Sequence, residues 1–548
     1  MNRTILASVI AVASVFGFSA CGSSSSASGN SSATPVSGGK LVINEAADTI
    51  GCVDPFQTAW TATRSVVRNV AESLVDQDPK TGDIKPWLAK SWTISDDGLT
   101  YTFNLKSGIT FSNGEKFNAD AVVTNFEGDL KTLKENPGTV GGFYVQNLAS
   151  VTKVDDDTVQ FHLSKPDGSF LQGLATPTLA VIAPASFKNT AVERCGGSYY
   201  GTGPFTITKY DVNTSTVLTR RKGYTSPSPF ASHKGDAYLK SVEIDYVPES
   251  SVRIGNLKSG SADIIWTTSD SQLTQNDIAQ IKAAGGSVQS RSLPGSAFDL
   301  MPNVRAASSP LSDLSVRQAF SYAIDRKTYA STNIRSGYPV VSSVVDSTTP
   351  GYKKLAAVTT YNVKKADSLL TKAGWKLNKK DGYRYKNGKK LTLHLLTTSS
   401  DNGYELIQDE VKKVGIELKI DVVTSAQYTT KINANDYDLV SITYTRSDPS
   451  AINTLLDVRY ATFKAISGNT QTDADQKWLE DAFDRAAAQA DESKREAVYG
   501  EIQDYLAEHV TVIPVYERIQ DAGLSPRVHG LRFTAESFSD LYNMYLSD

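Results

Sequence analysis

The sequence predicts a mixed α/β fold, because strand and helix periodicities interleave along it. Residues 99–106 alternate apolar and polar side chains, and residues 159–163 and 391–395 repeat that pattern, which is typical of half-buried strands. Residues 316–324 and 498–506 place apolar side chains at helical spacing, each forming one apolar face. No repeat of fixed period is present, so a solenoid is not expected.

The first residues have the pattern of a secretory signal. Met1–Arg3 supply a positive start, and Ile5–Phe18 form an uncharged apolar run that is short for a bilayer span. Ordinary cleavage after residue 20 requires a small side chain where Phe18 stands, whereas a lipoprotein signal requires the cysteine that follows, Cys21. We therefore expect a lipoprotein signal peptide over residues 1–20 and a lipid-modified Cys21. The alternative is plain secretion with cleavage after Ala27.

A flexible tether is expected next. Residues 21–39 are nearly all Ser, Gly, Ala, Asn, Thr and Pro, so they cannot bury enough surface to offset the entropy of ordering. The fold should therefore begin near Lys40. No later run is long and apolar enough to predict a membrane span.

Composition and motifs favour a binding protein over an enzyme. The mature chain exceeds 500 residues, which suggests about three domains, and the net charge of −3 gives no nucleic-acid footprint. The five histidines are far apart, and there is no HExxH, G-x-S-x-G or GxxxxGK[ST] motif, so neither a metal nor a cofactor is expected. Asp155–Asp157 is expected to form a turn between strands. A secreted hydrolase with a carboxylate pair stays open as an alternative.

A disulfide is predicted between the two cysteines that remain after Cys21. Cys52 and Cys195 are the only others in the chain, and a pair of cysteines in an oxidising compartment usually bonds. The alternative is two buried thiols.

Several segments carry a family resemblance, and they occur in the family's order along the chain. These segments are Asn69–Val75, Thr81–Ala89, Asp97–Phe103, Gly108–Gly114, Asn118–Val122, Gly201–Phe205, Leu257–Ile264, Val316–Arg326, Ala366–Trp375, Tyr437–Leu439 and Ile513–Tyr516. Together they resemble the family 5 extracellular solute-binding proteins, the peptide/nickel-type receptors of ABC importers. The similarity covers essentially all of the chain after the tether.

The resemblance implies a two-lobed periplasmic-binding-protein type II fold with the ligand cleft between the lobes. Lobe I is expected to combine residues 40–76, 200–296 and 513–548, with an inserted subdomain over residues 77–199. Lobe II is expected to cover residues 297–512. In such a receptor the solute contacts both lobes only when they are closed, so binding favours the closed form.

The loop Tyr444–Pro449 is the first candidate ligand contact. In peptide-binding relatives an aspartate a few residues before an Asp/Glu-Pro pair binds the ligand's α-amino group. Here Asp448-Pro449 matches the pair, but Arg446 stands near the position of that aspartate. A buried arginine selects carboxylates, so either Arg446 or Asp448 anchors the solute, with Tyr444 and Ser447 beside them. The alternative is an Arg446–Asp448 turn pair without a ligand role.

Other candidate contacts follow from the family geometry. Trp266 and Thr267, at the end of a predicted strand, are expected to cover the solute and to donate hydrogen bonds to it. Asp54, in a loop after the first strand, and Phe205, in the Gly201–Phe205 turn, are further candidates. The alternatives are a core tryptophan at Trp266 and a turn-capping role for Asp54.

The predicted function is an extracellular receptor that captures oligopeptides or peptide-like solutes and delivers them to ABC permease subunits. The receptor is expected to be a monomer, anchored to the outer face of the bacterial cell membrane through its lipid only. The open alternatives are an oligosaccharide, nickel-chelate, opine or siderophore receptor of the same family, and an adhesin or sensory partner on the same scaffold.

Overall fold

The structure, a computed structural model, describes residues 34–46, 51–136, 139, 141–268, 272–398, 403–459, 470–489 and 491–547. The predicted signal peptide, most of the predicted tether and Cys21 lie outside these residues. From residue 35 onward the described chain belongs to one compact unit. Among its helices, none combines the length and apolarity that a bilayer crossing needs.

The strands are β1 Lys40–Glu45, β2 Val75–Gln77, β3 Ile84–Pro86, β4 Ala89–Ile94, β5 Thr100–Leu105, β6 Leu148–Asp155, β7 Thr158–Leu163, β8 Phe205–Asp211, β9 Ser215–Arg220, β10 Ser241–Tyr246, β11 Ile264–Trp266, β12 Ser287–Ser292, β13 Phe298–Pro302, β14 Lys376–Leu377, β15 Arg384–Lys386, β16 Lys389–Lys390, β17 Thr392–Thr397, β18 Glu417–Val422, β19 Leu439–Ile442, β20 Ile513–Tyr516, β21 Ile519–Leu524, β22 Val528–His529, β23 Arg532–Phe533, β24 Ser539–Asp540 and β25 Tyr545–Leu546.

The α-helices are α1 Thr61–Arg68, α2 Ala119–Glu135, α3 Gly142–Val145, α4 Phe170–Gly173, α5 Ala191–Cys195, α6 Ser250–Ser259, α7 Gln275–Ala283, α8 Leu314–Ala323, α9 Arg326–Thr328, α10 Ala356–Thr359, α11 Val363–Lys372, α12 Gly403–Lys412, α13 Ser425–Asn433, α14 Ala451–Leu456, α15 Asp473–Ala487 and α16 Glu492–His509. Short 3-10 turns cover Pro177–Leu179, Pro184–Lys188 and Pro310–Ser312, and a π-helical turn covers Tyr329–Ile334.

The elements predicted from periodicity are confirmed. The alternating segments form β5, β7 and β17, and Asp156 and Asp157 form the turn between β6 and β7. The apolar stripe at 316–324 belongs to α8, which Asp313 caps by accepting a hydrogen bond from the backbone of Ser315. The stripe at 498–506 lies in α16, with Ile502 fully buried in the core.

Three large sheets organise the molecule. The first is seven-stranded, in the order β12-β21-β11-β1-β10-β9-β8, and the second is five-stranded, in the order β18-β17-β19-β13-β20. A four-stranded antiparallel sheet, β4-β5-β7-β6, lies within the segment predicted as the inserted subdomain. Each sheet has its own cluster of buried apolar side chains, so each organises a separate core.

One predicted boundary is displaced. The resemblance implied that residues 513–548 belong to lobe I, but β20, Ile513–Tyr516, pairs with β13 in the five-stranded sheet. The return to the seven-stranded sheet begins at β21, Ile519–Leu524. The apolar strand is compatible with either sheet by composition, and only its pairing decides its lobe.

The chain crosses between the first two sheets twice. One crossing joins β12 to β13 through residues 293–297, and the other joins β20 to β21 through Glu517 and Arg518. The crossings lie side by side, because the backbone N–H of Leu293 donates to the carbonyl oxygen of Arg518 at 2.9 Å. Two adjacent crossings between two bodies form a hinge.

The predicted disulfide lies between the loop after β1 and helix α5. Cys52 and Cys195, 143 residues apart, are bonded, and the neighbouring backbone N–H of Val53 donates to the carbonyl oxygen of Cys195 at 3.0 Å. Asp54 extends the same contact by accepting a hydrogen bond from the Nε of Arg194 at 2.6 Å. The disulfide therefore holds the loop after β1 against α5.

Replacing both cysteines, as Cys52→Ser with Cys195→Ser, should lower the free energy of unfolding by about 2–5 kcal/mol, because the unfolded chain regains the entropy of a long loop. Urea unfolding monitored by circular dichroism measures the loss. The unmodified protein should lose the same amount on addition of reductant, whereas the double variant should not respond to it. Equal stability of the variant and the oxidised protein would contradict the stabilising role.

Candidate functional site

The candidate site lies where the loop after β19 meets helices of the other lobe and its subdomain. This loop, residues 443–450, leaves the five-stranded sheet and carries Tyr444, Arg446, Ser447 and Asp448. Its backbone is held against the hinge, since the N–H of Ser296 donates to the carbonyl oxygen of Tyr444 at 3.0 Å. The N–H of Arg446 donates to the carbonyl oxygen of Pro294 at 3.1 Å.

Gly295 is required for this close approach. Its φ is +118°, and a Cβ added there would lie 2.0 Å from the carbonyl oxygen of Tyr444. Both the backbone conformation and the lack of space exclude a larger residue. The glycine therefore allows the loop to pack directly on the hinge.

Arg446 is buried without a carboxylate partner. Its side chain is 4% exposed; the Nε donates to Gln172 Oε1 at 3.1 Å and an Nη donates to Ser169 Oγ at 3.0 Å. The guanidinium carbon lies 4.5 Å from the ring centroid of Tyr144. No ion pair of Arg446 exists among the described residues. Burial alone would lower the pKa of Arg446, but nearby groups that include the carboxylates of Asp448 and Asp167 raise it, so the guanidinium stays charged. Since its hydrogen-bond partners are neutral, it can still bind an anionic group of a ligand.

Additional hydrogen-bond donors surround Arg446. The hydroxyl groups of Tyr144 and Tyr444 are buried and have no hydrogen-bond partner in the described part of the chain, and neither has the Nε of Arg64. Burial raises the pKa of both tyrosines, so both phenols stay protonated and can donate. Arg64 also donates to the carbonyl oxygen of Thr445 at 3.3 Å and pairs with Glu536.

The polar groups therefore come from four elements. Arg64 is on α1, Tyr144 is on α3, Gln172 is on α4, and Arg446 is on the loop after β19. A crevice open to solvent reaches Arg446, and its other charged lining residues are Lys165, Arg459, Asp167, Asp457 and Asp484. This arrangement offers the guanidinium of Arg446, the Nε–H of Arg64 and two phenols as hydrogen-bond donors, a set that suits a carboxylate.

Ser447 joins the loop to two glutamines of the segment predicted as the inserted subdomain. Its hydroxyl donates to Gln77 Oε1 and accepts a hydrogen bond from Gln172 Nε2 at 3.1 Å. Gln77 Nε2 also donates to the carbonyl oxygen of Ser447 at 2.9 Å. Ser447 therefore lies at the candidate site as an interlobe contact, with its hydrogen bonds made to protein groups.

Asp448 is engaged by another arginine. Arg495 Nη1 donates to Asp448 Oδ1 at 3.0 Å and Arg495 Nη2 donates to Oδ2 at 2.8 Å, while Asp448 is 1% exposed. Burial raises the pKa of Asp448, but the charge of Arg495 and its hydrogen bonds outweigh burial and lower the pKa to about 2. The carboxylate is thus ionised and paired with Arg495, on α16, instead of facing the phenols around Arg446.

The structure places the remaining candidates away from the group around Arg446. Trp266 is buried in the core of the seven-stranded sheet, where its ring lies 5.5 Å from that of Phe533. The hydroxyl of Thr267 accepts a hydrogen bond from the backbone N–H of Asp521 at 3.0 Å. Phe205 is buried in the same core, and Asp54 forms an ion pair with Arg194. The described residues contain no group of three or more metal-ligating side chains.

Sequence reasoning missed Arg64, Tyr144, Gln172 and Glu536. Helix α1 begins with Thr61 and carries Arg64 among small and apolar residues, a pattern that does not distinguish a site arginine from a structural one. Tyr144 and Gln172 belong to four-residue helices that have no periodicity to detect. Their proximity to Arg446 arises from packing alone.

The comparisons with known proteins agree with this architecture. The structure of NikA from Brucella suis in complex with Fe(III)-EDTA matches with a TM-score of 0.80 at 23% identity, covering 93% of this chain and 100% of that chain. The structure of DppA from Helicobacter pylori in complex with the peptide STSA matches with a TM-score of 0.74 at 22% identity, covering 94% and 99%. The fold is therefore that of a two-lobed type II periplasmic binding protein.

The family follows from the sequence match. Residues 83–463 match the model of the bacterial extracellular solute-binding proteins, family 5. The nickel-binding periplasmic protein of Escherichia coli is 27% identical over 446 residues, which are 79% of this chain and 81% of the relative. The dipeptide-binding protein of the same organism is 26% identical over 454 residues, 78% and 80%. The chain belongs to this family, so it is an extracellular solute-binding receptor of ABC import and not an enzyme.

Removing one partner of the Asp448–Arg495 pair should be strongly destabilising. Asp448→Asn leaves Arg495 buried and unpaired, so the free energy of unfolding at pH 7 should fall by about 3–5 kcal/mol. In the unmodified protein this contribution is complete above the unfolded-state pKa of about 4, and it is lost as the pH falls toward about 2. Urea unfolding at pH 2, 3, 4 and 7 measures both effects.

The matched control is Asp481→Asn, which removes an exposed carboxylate paired with Lys477 on α15. It should cost less than about 1 kcal/mol. Equal losses from the two substitutions would show that the burial of Asp448 adds nothing to its pairing.

Proposed function

We propose that this receptor captures peptides or peptide-like solutes through a carboxylate group that binds Arg446. The observation that supports the proposal is the buried guanidinium of Arg446, which has only neutral hydrogen-bond partners and lies beside two protonated phenols. A ligand carboxylate would complete the charge balance of this site and accept hydrogen bonds from Tyr144 and Tyr444. The peptide-binding relatives support the class of solute.

The proposal reverses the polarity that the resemblance suggested for this loop. An α-amino group near Arg446 would be repelled, and Asp448 is already bound by Arg495. The ligand end that is anchored here is therefore the anionic end. The loop spans the lobes, so the solute is bound as they close and is then delivered to membrane permease subunits.

A metal chelate with carboxylate ligands is the second candidate. The nickel-binding relative and the NikA structure with Fe(III)-EDTA favour it. The guanidinium of Arg446 and the unpartnered Nε–H of Arg64 would both donate to such a polycarboxylate.

We also propose that the mature protein begins at a lipid-modified Cys21 and acts as a monomer on the outer face of the cell membrane. The apolar run before Cys21 and the uncharged residues 22–39 after it support this localisation. The mass of the N-terminal peptide of protein isolated from its own host tests it. An unmodified N-terminus at Ser28 or later would contradict it.

The carboxylate proposal predicts that short peptides raise the melting temperature of the protein only when their C-terminus is free. Amidation of that carboxylate should weaken binding by about 10- to 100-fold, because one charge-assisted hydrogen-bonded contact is lost. Acetylation of the N-terminus should have little effect. Thermal shift and isothermal titration calorimetry measure these differences, with Ni²⁺ and Fe³⁺ polycarboxylate chelates as a parallel series.

Arg446→Gln should remove the discrimination between free and amidated peptides, while Arg485→Gln, an exposed arginine on α15, should preserve it. If Arg446→Gln lowers the melting temperature but keeps the discrimination, Arg446 is an interlobe contact only, and the proposed carboxylate site is wrong. Stabilisation by the chelates alone would select the second candidate.

A further inference from the structure

The positive charge of lobe II is concentrated on one part of its surface. This surface, the basic patch, consists of residues 364–390, which include most of α11 and the three-stranded sheet β14-β15-β16, together with Lys412 and Lys413 at the end of α12. Residues 364–390 contain ten basic and two acidic residues, a net charge of +8. The whole chain carries −3, so its remaining residues carry −11. The molecule is therefore strongly polarised.

The elements of the basic patch are packed together around Arg384. The buried side chain of Arg384 pairs with Asp367 on α11 and donates to the carbonyl oxygen of Val414 at 2.8 Å. The backbone N–H of Arg384 donates to the carbonyl oxygen of Gly415, also at 2.8 Å. These contacts hold α11, β15 and the end of α12 as one surface and neutralise Arg384 itself.

The lysines of the basic patch take little part in ion pairing. Lys390 pairs with Glu417 at 3.0 Å. The others are exposed, and within the described residues none has a carboxylate within 4.0 Å; they are Lys364, Lys365, Lys372, Lys376, Lys379, Lys380, Lys386, Lys389, Lys412 and Lys413. Their mutual repulsion disfavours the folded state slightly, and an anionic surface would relieve it.

Apolar and aromatic groups lie among these lysines. Leu377 is 48% exposed in β14, and Tyr383 and Tyr385 are half-buried around β15. The Nζ of Lys390 lies 4.3 Å from the ring centroid of Tyr383. Long lysine side chains around an exposed leucine and two half-buried tyrosines suit a lipid interface, where charges meet phosphates and the apolar groups enter the headgroup region.

We propose that the basic patch docks on an anionic phospholipid surface and so orients lobe II toward the membrane. The charges are spread over three elements instead of converging on one point, which fits an extended layer of phosphate groups better than a single bound phosphate. Several lysines near such a surface contribute additively, and the attraction falls off within a Debye length. The inference is independent of the solute that the cleft binds.

Vesicle co-sedimentation of the full chain, processed by its own host, tests the proposal. Vesicles with 30% phosphatidylglycerol are compared with pure phosphatidylcholine vesicles at 50, 150 and 500 mM salt. The anionic vesicles should bind at least about tenfold more tightly at 50 mM salt, and the difference should disappear at 500 mM. Substitution of four lysines together, Lys376→Gln, Lys379→Gln, Lys380→Gln and Lys389→Gln, should remove the preference.

The matched control substitutes four exposed lysines elsewhere, Lys131→Gln, Lys134→Gln, Lys258→Gln and Lys282→Gln. This control changes the net charge by the same amount and keeps the same N-terminus. A loss of binding seen only in the patch variant is therefore due to the basic patch, and not to the net charge or to a lipid anchor. Hydrogen-exchange protection of residues 364–390 on anionic vesicles would locate the contact directly. Equal binding to both vesicle types, equal loss in both variants, or binding of soluble polyphosphate without binding of vesicles would overturn the proposal.

Discussion

The joined pair of hinge crossings is the constraint on which the rest of the architecture depends. Arg518 is buried in the second crossing, and its Nε and backbone N–H both donate to Asp346, each at 2.9 Å. The same guanidinium donates to Thr445 Oγ1 at 2.8 Å and to the carbonyl oxygen of Tyr444 at 3.2 Å. The hinge therefore also sets the position of the loop that carries Arg446, so rotation of the lobes and the geometry of the candidate site are linked.

Most buried charges near the lobe boundary are matched. Arg335 pairs with Asp521, Arg495 pairs with Asp448, and Arg64 pairs with Glu536. A matched buried pair contributes little net stability, but removal of one partner is costly, so such pairs hold a specific arrangement. Arg446 differs from these arginines because its partners in the described chain are neutral. Arg317 and Arg326 are also buried and are held by carbonyl and other neutral groups, so the feature that sets Arg446 apart is the solvent-open crevice that reaches it.

Arg446 and the basic patch act over different distances. Arg446 acts at contact distance inside the protein, where screening by salt is weak and hydrogen-bond geometry determines selectivity. The exposed lysines around β14–β16 act over about a Debye length, so their effect depends on ionic strength and not on the shape of one ligand. A receptor with both features can recognise a small anion in its interior and orient itself on a large anionic surface.

Local sequence patterns were enough to predict β5, β7, β17, α8 and α16, because apolar periodicity indicates which face of an element is buried. Motif order along the chain was enough to identify the family, and the cysteine count indicated the pair that the structure joins. The lobe of β20, the position of Trp266 and the partners of Arg446 were decided by long-range packing. The apolar strand Ile513–Tyr516 could pair in either sheet, and a tryptophan at a strand end, Trp266, suits a core as well as a cleft. The partners of Arg446 lie more than 270 residues away in sequence, where no local pattern records a contact.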